Sequence, residues 1–146
     1  MRVMVIVKAN KDSEAGVLPQ RELLEKMGKY NEQLVKAGVM LAGDGLQASS
    51  KGKRVKFDGD KRTVINGPFS NTKDLIAGFW LWKVNSMDDA VEWLKRAPFD
   101  GGEELEIRQV FEAADFGDQL TPELRQQDER LRAESQEAAD RSRKSA

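Results

Sequence analysis

The chain has 146 residues, 34% of them charged, with a formal net charge of −1 and a mean hydropathy of −0.63. This length suits one domain with a proper core, and the near-neutral charge gives no long-range field that would attract nucleic acid or anionic lipid. Because cysteine and histidine are both absent, thiolate nucleophiles, zinc–thiolate sites and histidine-based catalysis are excluded. We expect no cofactor and no metal. Any acid–base work falls to Asp, Glu, Lys or Tyr30.

The N-terminus, MRVMVIVKAN, carries a short apolar run without a following cleavage site of small residues. Its length and its alternating valines predict a buried strand over residues 3–9. No apolar run approaches the roughly 20 residues that a membrane helix needs. We therefore expect a cytoplasmic protein that makes no membrane contact.

From Pro19 the apolar spacing becomes helical, and Gly38 stands where a helix C-terminal cap belongs. The predicted inward stripe consists of Leu23, Met27, Tyr30 and Leu34. A strand follows over residues 39–46, interrupted by glycines on both sides of Asp44. This spacing predicts a bulge or a close backbone approach.

Residues 51–66 predict an inserted basic hairpin with a turn at Asp58-Gly59-Asp60. Residues 75–84 predict a strand that is apolar on both faces and is therefore covered on both sides. We expect one face to carry Ile76, Trp80, Trp82 and Val84, and the other to carry Leu75, Ala77, Phe79 and Leu81.

Ser86 and Asp89 predict the start of a second helix, which Pro98 ends. A last strand follows over residues 105–111, with one apolar face and one largely polar face. A charged helix begins at Thr121, and we expect residues 132–146, which lack large apolar side chains, to fray. The predicted division is a domain over residues 1–116 and a helical tail over 117–146.

Without the hairpin the element order is β-α-β-β-α-β, which predicts an α+β, ferredoxin-like split βαβ fold with both helices on one face of an antiparallel sheet. The first and third strands of this core lie centrally, and both are apolar on both sides. One face meets the helices. The other needs a partner, most simply a second copy related by a two-fold axis, so we expect a homodimer.

The segment Asn66-Gly67-Pro68-Phe69, together with Thr72-Lys73-Asp74, Ala77-Gly78-Phe79 and residues 86–98, resembles the YCII-related family. Within it the chain is similar to the branch named for its Asp-Gly-Pro-Phe motif. The resemblance covers about residues 3–113. It implies a dimeric α+β barrel of two ferredoxin-like domains, with a cleft between the sheets, and implies little about activity.

Three departures from the family pattern matter for chemistry. A His–Asp pair of another branch has no counterpart here, since the chain has no histidine. Asn66 replaces the leading Asp of the motif, and Asn71 is an amide where an acidic residue is usual. If a carboxylate at either place did acid–base work, this chain lacks it or uses Asp74 instead.

The candidate catalytic residues are Asp44, Asp74 and Lys73. Asp44 either occupies a solvated bulge or lies at the mouth of the dimer cleft, where desolvation would suit a general base. Asp74 is the alternative base, and Lys73 or Arg108 would hold developing negative charge. Isomerase, lyase and hydrolase chemistry all remain open.

The candidate ligand-binding residues are Asn66, Pro68, Phe69, Thr72, Trp80 and Arg108. The motif segment either builds a rigid turn or offers polar groups to a small molecule. Trp80 serves packing or stacks on an aromatic ligand. Arg108 either pairs with Glu106 or binds an anion.

Two functions of different classes follow from these residues. The first is small-molecule binding, with or without catalysis, in the cleft of a homodimer. The second is a non-catalytic regulatory or interaction module that uses the charged C-terminal helix or the basic hairpin. The hairpin is interrupted by Asp58 and Asp60 and has only Phe57 as an aromatic, so a solvated ribbon is favoured over a nucleic-acid site.

Overall fold

The computed structural model describes all residues 1–146. The chain forms two compact units, Met1–Val110 and Phe111–Ala146. No helix is both long and apolar enough to cross a membrane.

The first unit contains six strands and three helices, and the second contains one long helix. The strands are β1 (Arg2–Lys8), β2 (Met40–Gly45), β3 (Lys53–Asp58), β4 (Lys61–Asn66), β5 (Ile76–Lys83) and β6 (Leu105–Gln109). The helices are α1 (Lys11–Glu14), α2 (Arg21–Lys36), α3 (Met87–Lys95) and α4 (Pro122–Lys144). Short 3-10 turns cover Ser49–Lys51, Thr72–Asp74 and Ala113–Gln119.

Four strands form an antiparallel sheet in the order β2-β5-β1-β6, and β3 and β4 pair only with each other. This order and the two crossover helices confirm the predicted α+β, ferredoxin-like fold with a hairpin insertion. The two central strands, β1 and β5, are the pair whose sequences are apolar on both faces.

The core lies between one face of the sheet and helices α2 and α3. Trp82, Leu34, Val3 and Val5 are completely buried, and Tyr30, Val39, Trp80, Val84 and Ala90 complete the buried cluster. Leu105 and Ile107 of β6 pack against the same cluster. Because side chains alternate along a strand, the residues between these core residues point to the other face of the sheet.

We call that opposite side of the sheet the open face, because no helix of residues 1–110 contributes to the core from there. Its apolar side chains are Met4, Ile6, Phe79 and Leu81, all half-buried. The register places Asp44 beside Phe79 at the β2 edge, and it places Glu106 and Arg108 beside Ile6 and Met4 at the β6 edge. The open face thus has an apolar centre, with charged residues at both edges and also at the ends of the two central strands, where Arg2, Lys8 and Lys83 lie.

One predicted side-chain direction on β5, that of Ile76, is wrong. A register irregularity between Val7 and Lys8 places Ile76 opposite Lys8. Ile76 is therefore 39% exposed instead of sharing the core face with Trp80, whereas Leu75 is buried. The alternation of apolar residues cannot reveal such a bulge. One extra residue reverses the side-chain directions of all strand residues on its N-terminal side.

The C-terminal part also differs from prediction. β6 ends at Gln109, and Phe111 stacks on Phe116 with ring centroids 5.0 Å apart, inside the second unit. The expected fraying beyond residue 131 is not seen, because α4 stays regular to Lys144. Ion pairs at i,i+4 spacing support this helix: Arg132–Asp128, Arg130–Glu134 and Arg141–Glu137.

The indole of Trp80 lies against β2 because β2 has no side chain at position 43. A Cβ at Gly43 would lie 2.6 Å from Trp80 Cδ1 and 2.9 Å from Met40 Cε. Both distances are shorter than any normal carbon contact, so the indole of Trp80 occupies the space that a side chain would need. The predicted close backbone approach is also present, because a Cβ at Gly78 of β5 would lie 3.0 Å from the carbonyl oxygen of Asp44.

We predict that Gly43→Ala destabilises the protein by about 1–3 kcal/mol, because the added methyl overpacks a site bounded by a buried indole. Gly28→Ala is the matched control: it lies inside α2 with nothing within 4 Å of an added Cβ. There alanine should stabilise by roughly 0.5–1 kcal/mol through helix propensity. Urea unfolding measures both, and equal effects of the two substitutions would contradict the packing argument.

Candidate functional site

A cleft of about 290 Å³ opens where the first half of α2 passes the ends of β2 and β5. Its walls are mainly apolar and include Leu23, Met27, Trp80 and Phe99. Gly43, Gly45 and Gly78 supply backbone at its floor. The cleft exists because the apolar stripe of α2 extends beyond the core: Leu23 is 36% exposed, whereas Leu34 is completely buried.

The indole of Trp80 is held in this wall by contacts on several sides. Its Nε1–H donates to Asn31 Oδ1 at 3.0 Å. Tyr30 and Phe99 meet it edge to face, at centroid distances of 5.9 and 6.4 Å. Trp80 is only 6% exposed and belongs to the buried core, which is the packing role that the sequence predicts. It also lines the cleft, and stacking on an aromatic ligand stays a prediction.

Asp44 lines the same cleft. It is opposite Phe79 in the register, one residue from Gly43, whose missing Cβ would point at Trp80. By strand alternation the Asp44 side chain therefore points toward the open face. It is exposed, and no group of this chain forms an ion pair or hydrogen bond with its carboxylate.

The other predicted charged residues lie at the opposite edge of the sheet. Glu106 accepts from Arg108 Nη1 and pairs with Lys8 Nζ, each at 3.4 Å. The Arg108 hydrogen bond and the nearby Lys8 charge lower the pKa of Glu106. Lys73 lines a groove with Lys8 and Glu106. Arg108 thus makes the predicted pair with Glu106 and is 73% exposed, which leaves its guanidinium accessible to a further anion.

The motif segment at residues 66–69 is anchored to a neighbouring loop instead of the cleft. The Gly67–Pro68 peptide is cis, and a Cβ at Gly67 would lie 1.7 Å from the carbonyl oxygen of Ser49. The backbone N–H of Phe69 donates to Ser49 Oγ at 3.0 Å. Arg54 stacks on the Phe69 ring at 3.8 Å. These contacts give the segment a structural explanation.

Asn66 and Asp74 are also engaged locally. Lys53 Nζ donates to Asn66 Oδ1 at 2.5 Å, across the register pair that these two residues form in the hairpin. Asn71 Nδ2 donates to the carboxylate of Asp74 at the 3-10 turn that Thr72 begins. The lining of the cleft contains neither these residues nor Pro68 and Phe69.

A single chain therefore brings only two of the predicted site residues together, Asp44 and Trp80 at the cleft. Sequence reasoning missed Asn31, Leu23 and Phe99 as lining residues. Leu23 carried a signal, since the apolar stripe of α2 begins well before the residues that the sheet buries. Asn31 carried none, because an amide on a helix surface is ordinary until its partner is known.

Tyr30 was a candidate acid–base group because the chain has no histidine or cysteine. The structure places its side chain in the buried core. Its hydroxyl donates to the backbone carbonyl of Trp93 at 2.7 Å, and burial raises its pKa to about 12. The phenol stays neutral at physiological pH and is unsuited to act as a general base.

Sequence reasoning also missed the link between α1 and the motif segment. Ser49 donates both its backbone N–H, at 2.9 Å, and its hydroxyl to the carboxylate of Glu14. These two hydrogen bonds lower the pKa of Glu14, the one from the hydroxyl contributing most. A group with a lowered folded pKa stabilises the fold above its unfolded pKa, and that contribution is lost as the pH falls through the folded value.

We predict that Glu14→Gln destabilises the protein at pH 7 and does so progressively less below about pH 4.5, the ordinary Glu value. Glu25→Gln, an exposed change on α2, serves as control. Urea unfolding midpoints from pH 7 to pH 3 measure the difference from wild type. An undiminished Glu14→Gln penalty at pH 3 would show that the carboxylate charge contributes nothing.

Residues 1–114 match the family model of the YCII-related domain. The matched range is most of the chain and includes every candidate site residue. No curated protein matches the chain.

Proposed function

The chain belongs to the YCII-related family, which confirms the resemblance noted in the sequence, and from this premise we propose that it binds a small molecule as a homodimer. The binding region is the apolar cleft with Asp44 at its rim. The dimer forms through the open face, giving the α+β barrel that the family resemblance implies.

The cleft carries the proposal of small-molecule binding. Apolar and aromatic walls with a few polar groups are what a small-molecule site requires. Asn31 Nδ2 forms no hydrogen bond within the chain, whereas its Oδ1 accepts from Trp80. Asn31 therefore offers a hydrogen-bond donor at a site whose other walls are largely apolar. The Asp44 carboxylate points toward the open face, so Asp44 contributes at the rim of the cleft. If the ligand is transformed, Asp44 is the acid–base group that the cleft provides.

The open face supports the dimer. Met4, Ile6, Phe79 and Leu81 form a contiguous patch on the two central strands. Completing the burial of a half-buried side chain of this size contributes on the order of 1 kcal/mol, and a two-fold interface uses each residue twice. The patch is therefore large enough in energy to support association, with the charged edges as the rim of the interface.

The alternative function, an interaction module, is favoured by one observation on the hairpin. Val55, Phe57 and Val64 share one face of the β3–β4 ribbon and are 50%, 70% and 60% exposed. A two-stranded ribbon is marginal alone, and Arg62 stacks on Phe57 at 4.5 Å. This surface suits a protein partner better than nucleic acid, since its face is apolar.

We predict that Leu81→Glu converts the dimer to monomers, because two carboxylates would enter the apolar centre of the interface. A penalty of about 2.8 kcal/mol corresponds to a 100-fold weaker dimer, and unpaired buried charges cost at least that. Val35→Glu, at a 61% exposed position of α2, should leave the dimer intact. Sedimentation velocity measures both, and a dimeric Leu81→Glu variant would contradict the open-face interface.

We predict that small aromatic fragments such as free indole bind in the cleft and shift the side-chain N–H resonance of Trp80. The Trp80→Phe variant, which lacks this resonance, assigns it. Leu23→Phe narrows the cleft and should reduce the shift several-fold, whereas Val35→Phe on the same helix should not. Two-dimensional NMR at millimolar fragment concentration measures this. An unchanged Trp80 resonance across a panel of such fragments would argue against the cleft as a binding site.

A further inference from the structure

The cleft contains a hydrogen-bond donor whose direction is set by the core. Asn31 lines the cleft, and its Oδ1 accepts from Trp80 Nε1 at 3.0 Å. Because an indole N–H can only donate, the amide oxygen is the atom of Asn31 that faces Trp80, and the Nδ2 amino group is turned away from it. The two N–H groups of Nδ2 form no hydrogen bond within the chain, so they are what this amide offers to a ligand.

Packing and hydrogen bonds hold both partners of this hydrogen bond in place. Trp80 is almost completely buried and meets Tyr30 and Phe99 edge to face. Tyr30, the residue before Asn31 on α2, is also buried, and its hydroxyl donates to the carbonyl oxygen of Trp93 at 2.7 Å. A donor that is already positioned loses little side-chain freedom when a ligand binds. The Asn31 amide is therefore suited to distinguish one ligand from another.

The other lining residues determine the size and charge of a suitable ligand. A cleft of about 290 Å³ lies at the small end of the range of roughly 300–1,000 Å³ that is typical of ligand pockets, which suits a molecule of one or two rings. No Lys or Arg lines it, and its one charged residue is Asp44 at the rim. An anionic ligand would lose water without gaining a positive partner and would be repelled by Asp44. The cleft therefore favours an uncharged molecule.

We propose that the cleft selects uncharged, flat aromatic molecules that carry a carbonyl oxygen or a ring nitrogen, and that Asn31 recognises this acceptor. The inference rests on the proposed small-molecule function and adds the chemical class of the ligand. The acceptor receives an N–H of Asn31 Nδ2, while the ring packs against apolar walls such as Leu23 and Met27. A molecule of the same shape without an acceptor leaves the amino group unpaired in an apolar cleft, which lowers its affinity.

Three molecules of nearly the same shape test the inference. Acetophenone has a carbonyl acceptor, α-methylstyrene has a CH₂ group in place of the carbonyl oxygen, and benzoate has a negatively charged oxygen in place of the methyl group. Each is titrated into the full-length protein at pH 7, and the side-chain N–H resonance of Trp80 reports binding. We expect acetophenone to bind about fivefold more tightly than α-methylstyrene, the effect of one neutral hydrogen bond, and benzoate to bind most weakly.

Two variants at position 31 separate recognition of the acceptor from packing. Asn31→Asp keeps an oxygen that accepts from Trp80 but has no N–H donor, and Asn31→Leu has neither. Both should lose the preference for acetophenone over α-methylstyrene. Gln33→Glu, an exposed change of the same chemical kind on the same helix, should keep it. The dispersion of the amide spectrum establishes that each variant is folded.

The possible results distinguish this inference from the proposed function on which it rests. Equal binding of acetophenone and α-methylstyrene by the wild-type protein, or a preference that persists in both variants, would overturn recognition by Asn31 and leave the cleft as a binding site. Benzoate binding as tight as that of acetophenone would overturn the uncharged class. A Trp80 resonance that none of the three molecules shifts would overturn the inference together with the cleft as a site.

Discussion

The structure depends on two central strands that are apolar on both faces. On one side Val3, Val5 and Trp82 are completely buried against α2 and α3. On the other, Met4 and Leu81 are left half-buried on a face to which residues 1–110 bring no helix. Because contiguous apolar surface marks an interaction site, we propose that the sheet that stabilises the fold also forms the interface of a dimer.

The shape of the cleft depends on two positions, Gly43 and Gly78, that have no side chain. Gly43 lets the indole of Trp80 lie against β2, and Gly78 lets β2 and β5 approach, since an added Cβ there would lie 3.0 Å from the Asp44 carbonyl oxygen. The same strand ends then form the floor of the cleft and present Asp44 at its rim. The glycines at the adjoining ends of β2 and β5 thus allow close packing, and the same strand end carries the accessible Asp44.

The sequence was sufficient for the sheet, the two large helices and the hairpin, because their periods and caps are strong local signals. It failed at Ile76, where a bulge reverses the direction of the strand, and at the length of α4, where ion pairs replace apolar anchors. Within one chain the candidate site residues do not all meet at the same place. Asp44 and Trp80 meet at the cleft, whereas Phe69 is explained by Ser49, a contact across twenty residues that no local pattern encodes.

We infer that the open face is covered by a second copy and that the resulting site holds a small molecule. Native mass spectrometry of freshly purified protein tests both parts together. We expect a species of twice the 16.4 kDa chain mass. It should retain additional small-molecule mass, which the Asp44→Asn variant should lose. A species at the single-chain mass under the same conditions would contradict it, because the apolar patch around Leu81 would then be stable in water without a partner.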